Sequence, residues 1–380
     1  MFFKANKDLP SQEAFLKRVN ELGVQFNGTT SEERVNYFIT LSSTKLQEGL
    51  EFMNSAIRYP LFLEEEMKKE NPVVDGEFQR AESNPGFWLY QDVNRAMWGD
   101  LYNRKNPIGD HDIILSAVPE KMRTIQERYY YPNNSIIVVA GAVDRDQVEK
   151  MVKDIYGDWK KSDFEIFEKY PVPEFEPFTE SVGVVTINEN AQVPIMMIMQ
   201  RGPSVDEDPE ATYAADVFHT IINLPSSRFN QNLVESGLAF QAQSSYQTLK
   251  HVGPILTVLV PNPQKIEEAV AALEAEVALF DSDDYFTDEQ LESAKRQLTI
   301  SDIYSRESTS GFVHSLTFWW ASASLDYYLN YLDNLNKVTR DDIKAYVREY
   351  IQDNPNVTGL LLSPMLQSNL GIESVEPVKM

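Results

Sequence analysis

The first regular pattern along the chain is helical. Ser11 offers a cap, Phe15, Val19 and Leu22 recur on one face, and Gly23 closes the segment. The stretch VQFNGTTSEERVNYFITL then reads as two strands joined by a polar turn, and STKLQEGLEFMNSAIRYP as a helix closed by Pro60. In the following ENPVVDGEFQRAESNP, Glu70 and Glu77 stand seven residues apart, a spacing that puts both carboxylates on one face of a helix. Asn71 and Pro72 read as a cap and a first helical position, which would leave Glu70 just outside that helix.

The pattern repeats at long range. RFNQNLVESGLAFQAQSSYQTLKHVGPILTVLVPNPQKIEEAVAALEAEVALF runs helix, Gly237, strand, strand, helix, in the order already met between Phe15 and Phe62. Ala117–Asp144 parallels Lys337–Pro364, each with a helix, an Asn/Pro turn and an apolar strand, and Val118 and Val338 lie 220 residues apart. The segment from Ser181 to Pro225, ahead of the second copy's helix, has almost no counterpart ahead of the first. The missing part should hold two or three strands and the start of a helix. The expected fold class is therefore α+β, two homologous α/β-sandwich units with the first incomplete at its N-terminus. Residues 1–160 form the first unit, 161–180, with prolines at 171, 173 and 177, an extended linker, and 181–380 the second. On this reading the first unit exposes apolar surface such as Phe2 and Phe3.

Composition narrows the chemistry. With 34 basic against 58 acidic residues the formal charge is −24, which opposes binding to nucleic acid or an anionic membrane surface. No cysteine is present, so metal ligation falls to His and carboxylates, and no run approaches the roughly 20 apolar residues of a membrane span. The four histidines, His111, His219, His251 and His314, are too scattered to form H-x-x-E-H or H-E-x-x-H. His219, among apolar neighbours in YAADVFHTIINLP, reads as a packed core residue, and His111 as a loop residue or cap.

Taken in order and spacing, KRVNELGVQFNGTTSEERVNYF, VVDGEFQRAESNP, YYYPNNSIIVVAGAVD and SSRFNQNLVESGLAF resemble the insulinase/pitrilysin family of zinc metallopeptidases over essentially the whole chain. The family carries H-x-x-E-H on a helix and a third ligand, Glu, roughly 76 residues later. The resemblance places Glu77 at that ligand position and Glu70 at the supporting acidic residue behind it. Counting back from Glu77 puts the second His of the motif immediately before Met1, so the chain as given lacks both His and the general base. Zn²⁺ is the cofactor implied for a complete member, and none is expected on this chain alone. Two Glu on a solvated face of so acidic a chain are otherwise unremarkable.

The resemblance also implies an extended peptide substrate lying along Gln25–Thr30, with Phe26, Asn27, Gly28 and Thr29 in contact, and Phe240 where active members offer a Tyr. An ordinary strand end is the plain alternative for Gln25–Thr30. Leu233 or Val234 stands near the position of an Arg that active members use. Three readings follow: a metalloendopeptidase acting on peptides or unfolded proteins, inactive as this chain alone; a non-catalytic subunit forming a homo- or hetero-dimer with a homologous peptidase; or an α+β protein without a site.

Overall fold

The structure, a computed structural model, describes residues 1–380, the Tyr102 side chain excepted. In chain order it runs α1 (Gln12–Leu22), β1 (Gln25–Thr30), β2 (Val35–Thr40), α2 (Leu46–Arg58), α3 (Glu64–Glu82), α4 (Pro85–Trp98), α5 (His111–Leu115), α6 (Pro119–Tyr129), α7 (Arg145–Tyr156) and α8 (Ile166–Lys169). It continues with β3 (Val182–Ile187), β4 (Ile195–Arg201), α9 (Pro209–Ile222), α10 (Arg228–Asn230), β5 (Ala239–Tyr246), β6 (Pro254–Pro261), α11 (Ile266–Val277) and α12 (Asp288–Ser305). The last elements are α13 (Thr309–Ser322), α14 (Leu325–Leu329), α15 (Tyr331–Lys337), α16 (Arg340–Tyr350), β7 (Val357–Leu362) and α17 (Pro364–Leu370). The chain forms two compact units: Met1–Arg80 with Asn106–Pro173 and Glu307–Thr317, and Ala81–Lys105 with Glu174–Arg306 and Phe318–Met380.

In the first unit the local signals act as the sequence suggests. Ser11 accepts the Ala14 N–H, and Gly23 takes the left-handed conformation (φ 63°) that ends α1 with little steric cost. β1 and β2 form a two-stranded antiparallel sheet, Gln25 opposite Thr40. Phe15, Leu22, Val24 and Phe52 make the core beneath it, and each such side chain contributes roughly 1.5–3 kcal/mol on burial. Phe2 and Phe3 are not the exposed surface anticipated. Phe2 is 3% exposed and stacks on Tyr130 at 4.6 Å, while Phe3 meets Phe26 edge-on at 5.0 Å. The rings meet in the stacked and edge-on arrangements that aromatic pairs prefer.

The apolar run Ile136–Ala140 differs from expectation, since it joins no ladder. Its counterpart β7 is a strand because β3 lies parallel on one side and β4 antiparallel on the other, and all six of its residues are buried. Among the described residues no strand flanks 136–140, and an extended run becomes a strand only when its N–H and C=O groups meet partners.

The second unit is built on the five-stranded sheet β3-β7-β4-β6-β5. Strand β7 carries Gly359, where a Cβ would come within 2.3 Å of Val93 and 2.8 Å of Leu89 on α4. The bare backbone lets α4 lie close, and Leu89, Val93, Met97 and Trp98 pack there with Met199, Val357 and Leu361. On the other core, α9 packs with α11, α12 and α16 through Phe218, Ile221, Leu273, Ala294, Ile343 and Val347.

Candidate functional site

Helix α3 runs unbroken through Pro72, so Asn71 is not its cap and Glu70 lies inside it. Pro72 is on the exposed side, where water can satisfy the carbonyl its missing N–H leaves unpaired. With about 100° of turn per residue, Glu66, Glu70 and Glu77 fall within about 40° of one another on one face. They do different things. Glu66 is buried and accepts the Ala5 N–H at 3.2 Å and the Gln12 N–H at 2.6 Å, the latter an otherwise unpartnered donor at the start of α1. Glu70 is paired with Lys4 at 2.8 Å, and the Lys4 side chain is only 8% exposed. Burial lowers the Met1 ammonium from its usual range, and Glu70 works against that shift, so the Met1 amine lies within electrostatic reach of Glu70. Glu77, farther along, is exposed and has no hydrogen bond or ion pair among the described residues.

The opposite face of α3 is anchored. Buried Asp75 accepts from Gln79 at 2.8 Å and meets His111 Nδ1 at 2.5 Å, and the His111 ring sits edge-on to Phe78 at 4.4 Å. Asn71 donates to the Ala117 carbonyl at 3.0 Å. His111 is thus the first residue of α5, capped by Asp110, and part of the contact that fixes the rotation of α3 about its axis.

Among the described residues strand β1 is paired only with β2. Asn27, Gly28 and Thr29 are exposed, and the Gly28 N–H donates to the Asn27 side-chain oxygen Oδ1 at 2.8 Å. Phe26 points the other way, into Phe3 and Phe15. His314 of α13 touches strand β2, its ring edge-on to Phe38 at 4.4 Å and its Nδ1 3.4 Å from the Asn36 amide nitrogen. An exposed Gly28 opposite Tyr37 leaves the β1 backbone uncluttered: a Cβ there would be 3.3 Å from the Tyr37 ring.

In the second unit Phe240 is 60% exposed on β5, at the edge of the sheet. Leu233 is fully buried and Val234 packs against the same core. His219 is buried, 2.9 Å from the Tyr346 hydroxyl through Nε2, and burial pushes its pKa down to about 3. It is a neutral core residue. The roles of Glu66, Lys4 and the Asp75–His111 pair were not read from the sequence. The one available signal was the repeat of acidic residues at 66, 70 and 77, which shows a face but not its partners.

The zinc that the resemblance implies needs three protein donors around an open position. Among the described residues no three His, Cys, Asp or Glu side chains converge to hold a metal ion. His219 is held in the second unit's core, His111 by Asp75 and His314 against β2. The donors of this chain do not by themselves make that site.

Residues 1–108 match the family described as insulinase, peptidase family M16, and residues 116–298 match the M16 inactive domain. An uncharacterized zinc protease of Streptomyces coelicolor is 20% identical over 353 residues, covering 90% of this chain and 74% of its own length. The zinc protease YmxG of Bacillus subtilis is 25% identical over 313 residues, 82% of this chain and 73% of its own. The crystal structure of a protease from Helicobacter pylori superposes with a TM-score of 0.80 at 22% identity, over 95% of this chain and 87% of that one, a likeness of fold. Two matches to the same peptidase family, over residues 1–108 and 116–298, place the chain in the insulinase family of peptidases, M16.

Proposed function

We propose that this chain serves metalloendopeptidase chemistry on peptides or unfolded proteins by holding an extended peptide along β1, with Glu77 as the carboxylate offered to a zinc site that other residues complete. The observation that carries the reading is the edge of β1: Asn27, Gly28 and Thr29 are exposed on a strand that, among the described residues, is paired on one side only. An added strand gains affinity from main-chain hydrogen bonds and so needs little sequence preference. Asn27, Gly28 and Thr29 present that edge; Phe26 supports it from beneath. Glu77 suits its role because its neighbours on the same face, Glu66 and Glu70, are already engaged while it is not.

A second reading, a non-catalytic subunit dimerising with a homologous peptidase, draws support from Leu233. Where the resemblance looks for an Arg, this chain has Leu233, fully buried, or Val234, half-buried against the same core. In this reading Phe240 offers apolar contact rather than a hydroxyl. The test is binding of a fluorescent unfolded peptide to the full chain, followed by anisotropy. The same peptide N-methylated at alternate residues should lose at least tenfold in affinity. Equal affinity for both peptides would remove the strand-addition reading, and unaided cleavage by the chain would remove the subunit reading.

A further inference from the structure

Helix α16, in the second unit, sorts its charged side chains by face. Arg340, Lys344 and Arg348 recur at every fourth residue, and each is engaged: Arg340 with Asp288 at 2.7 Å, Lys344 with Asp283, and Arg348 with Asp281 at 2.7 Å. Asp342, Tyr346 and Glu349 lie on the opposite face, within about 60° of one another. That face borders a cleft of about 1190 Å³ whose other walls come from α9, α14 and α15. Tyr213, Tyr327 and Tyr346 are its buried aromatic lining. They are held in place: Tyr213 stacks on Tyr327 at 4.9 Å, Asn334 donates to the Tyr213 hydroxyl at 3.2 Å, and the Tyr327 and Thr212 hydroxyls meet at 2.8 Å. Beside them Tyr331 donates to Asp216 at 2.7 Å, which ties α15 to α9.

The charge around this aromatic lining is of one sign. Asp206, Asp208, Glu210, Asp326, Asp342 and Glu349 line the cleft against one cation, Lys337, which donates to the Asn334 side chain at 3.1 Å. Two of the acids are partly used. Asp208 accepts the Ala211 N–H at 3.1 Å and the Tyr350 hydroxyl at 2.8 Å, and Asp342 caps its own helix through Thr339. Among the described residues no ion pair or side-chain hydrogen bond reaches Asp206, Glu210, Asp326 or Glu349, although the acids beyond the opposite face of α16 all have their cations. Like charges gathered at a concave protein wall focus their field on a cation, and the faces of the tyrosine rings attract the same charge.

We propose that this cleft binds a linear polyamine, its ammonium groups paired with the carboxylates that lack cations and its methylene runs laid over the tyrosine and alanine surface between them. The spacing selects the ligand. Asp342 and Glu349 are about 10 Å apart along the helix axis, with Ala345 and Tyr346 between them, so charge alternates with apolar surface along the cleft. A chain of ammonium groups separated by short methylene runs has the same alternation. A metal ion has no apolar part to cover that surface, and a single ammonium reaches only one end of it. The site is independent of the peptide reading of β1, which lies in the other unit.

The experiment is calorimetric titration of the full chain with spermidine at low ionic strength. Binding should saturate at one molecule per chain and weaken as salt is added. The double variant Glu210→Gln/Glu349→Gln should lose about fivefold in affinity or more. Ala345→Arg, which puts a cation into the cleft from an exposed position, should abolish binding. The double variant Glu267→Gln/Glu268→Gln, on the exposed side of α11 and outside the cleft, should bind as the parent chain does. Binding that does not saturate, an equal loss in the α11 variant, or full binding by Ala345→Arg would each overturn the site. Displacement of spermidine by an equal concentration of Mg²⁺ would overturn the organic ligand. Tetralysine binding about tenfold more tightly, with the same dependence on Glu210 and Glu349, would give the cleft to a peptide and overturn the free polyamine. Should the Glu210→Gln/Glu349→Gln chain fail to fold, Ala345→Arg decides.

Discussion

Glu66 shows how one buried side chain can organise a whole helix face. Its two oxygens hold Ala5 and Gln12, so the chain entering α1 is tied along α3, and Lys4 is brought to Glu70. Removing the carboxylate leaves two backbone donors without partners in a largely enclosed place, at about 1–3 kcal/mol each where water cannot replace it. Glu66→Ala should therefore lower stability by about 2–4 kcal/mol in urea denaturation, and Glu66→Gln by less, since one acceptor remains. A loss below ~0.5 kcal/mol for Glu66→Ala would mean that water satisfies both amides. None of this was legible in the sequence. A Glu seven or four residues from another is a common event in a chain with 58 acidic residues, and only packing separates the buried acid from the exposed one.

Among the elements, β7 and the run Ile136–Ala140 form the sharper lesson. Both are short apolar segments after an Asn/Pro turn, and both read as strands. One is a central strand and the other is not, because strand character resides in the neighbours. The same dependence makes Gly359 sensitive. Its missing Cβ is the space into which Val93 and Leu89 fit, so Gly359→Ala forces α4 away from the sheet, at about 1–3 kcal/mol for overpacking. Thermal unfolding should show this as a lowered Tm, and a compensating Val93→Ala should recover part of it. An unchanged Tm in Gly359→Ala would show that α4 yields without cost.

Over the whole molecule the two compact units are not simple sequence halves. Helix α4, although it directly follows α3, belongs to the second unit, where Leu89, Val93, Met97 and Trp98 cover Met199, Val357 and Leu361. A chain joining residues 81–105 to 174–380 through a flexible linker should then fold with a cooperative transition, whereas 174–380 alone uncovers that face and should aggregate or bind a hydrophobic dye. Comparing the two by circular dichroism and dye fluorescence checks the assignment, and equal behaviour would show that α4 is dispensable. Among the described residues no helix is long and apolar enough to cross a membrane.

What the sequence determined by itself were features set by near neighbours and by long-range repetition. The Ser11 cap, the Gly23 stop, the β1–β2 hairpin, the common face of Glu70 and Glu77, and the core character of His219 follow from spacing and side-chain chemistry. The family followed from the order of motifs, which packing does not alter. Tertiary structure decided everything that depends on a partner distant in the chain. It carried α3 through Pro72, because helix packing and the Asn71–Ala117 and Asp75–His111 contacts outweigh one missing hydrogen bond. It buried Phe2, engaged Glu66 and Glu70 while leaving Glu77 free, and set Asp216 among tyrosines. The physical reason is common to all of them: the free energy of a charge, a ring or an unpaired backbone group is fixed by what surrounds it, and those surroundings come from residues far away along the chain.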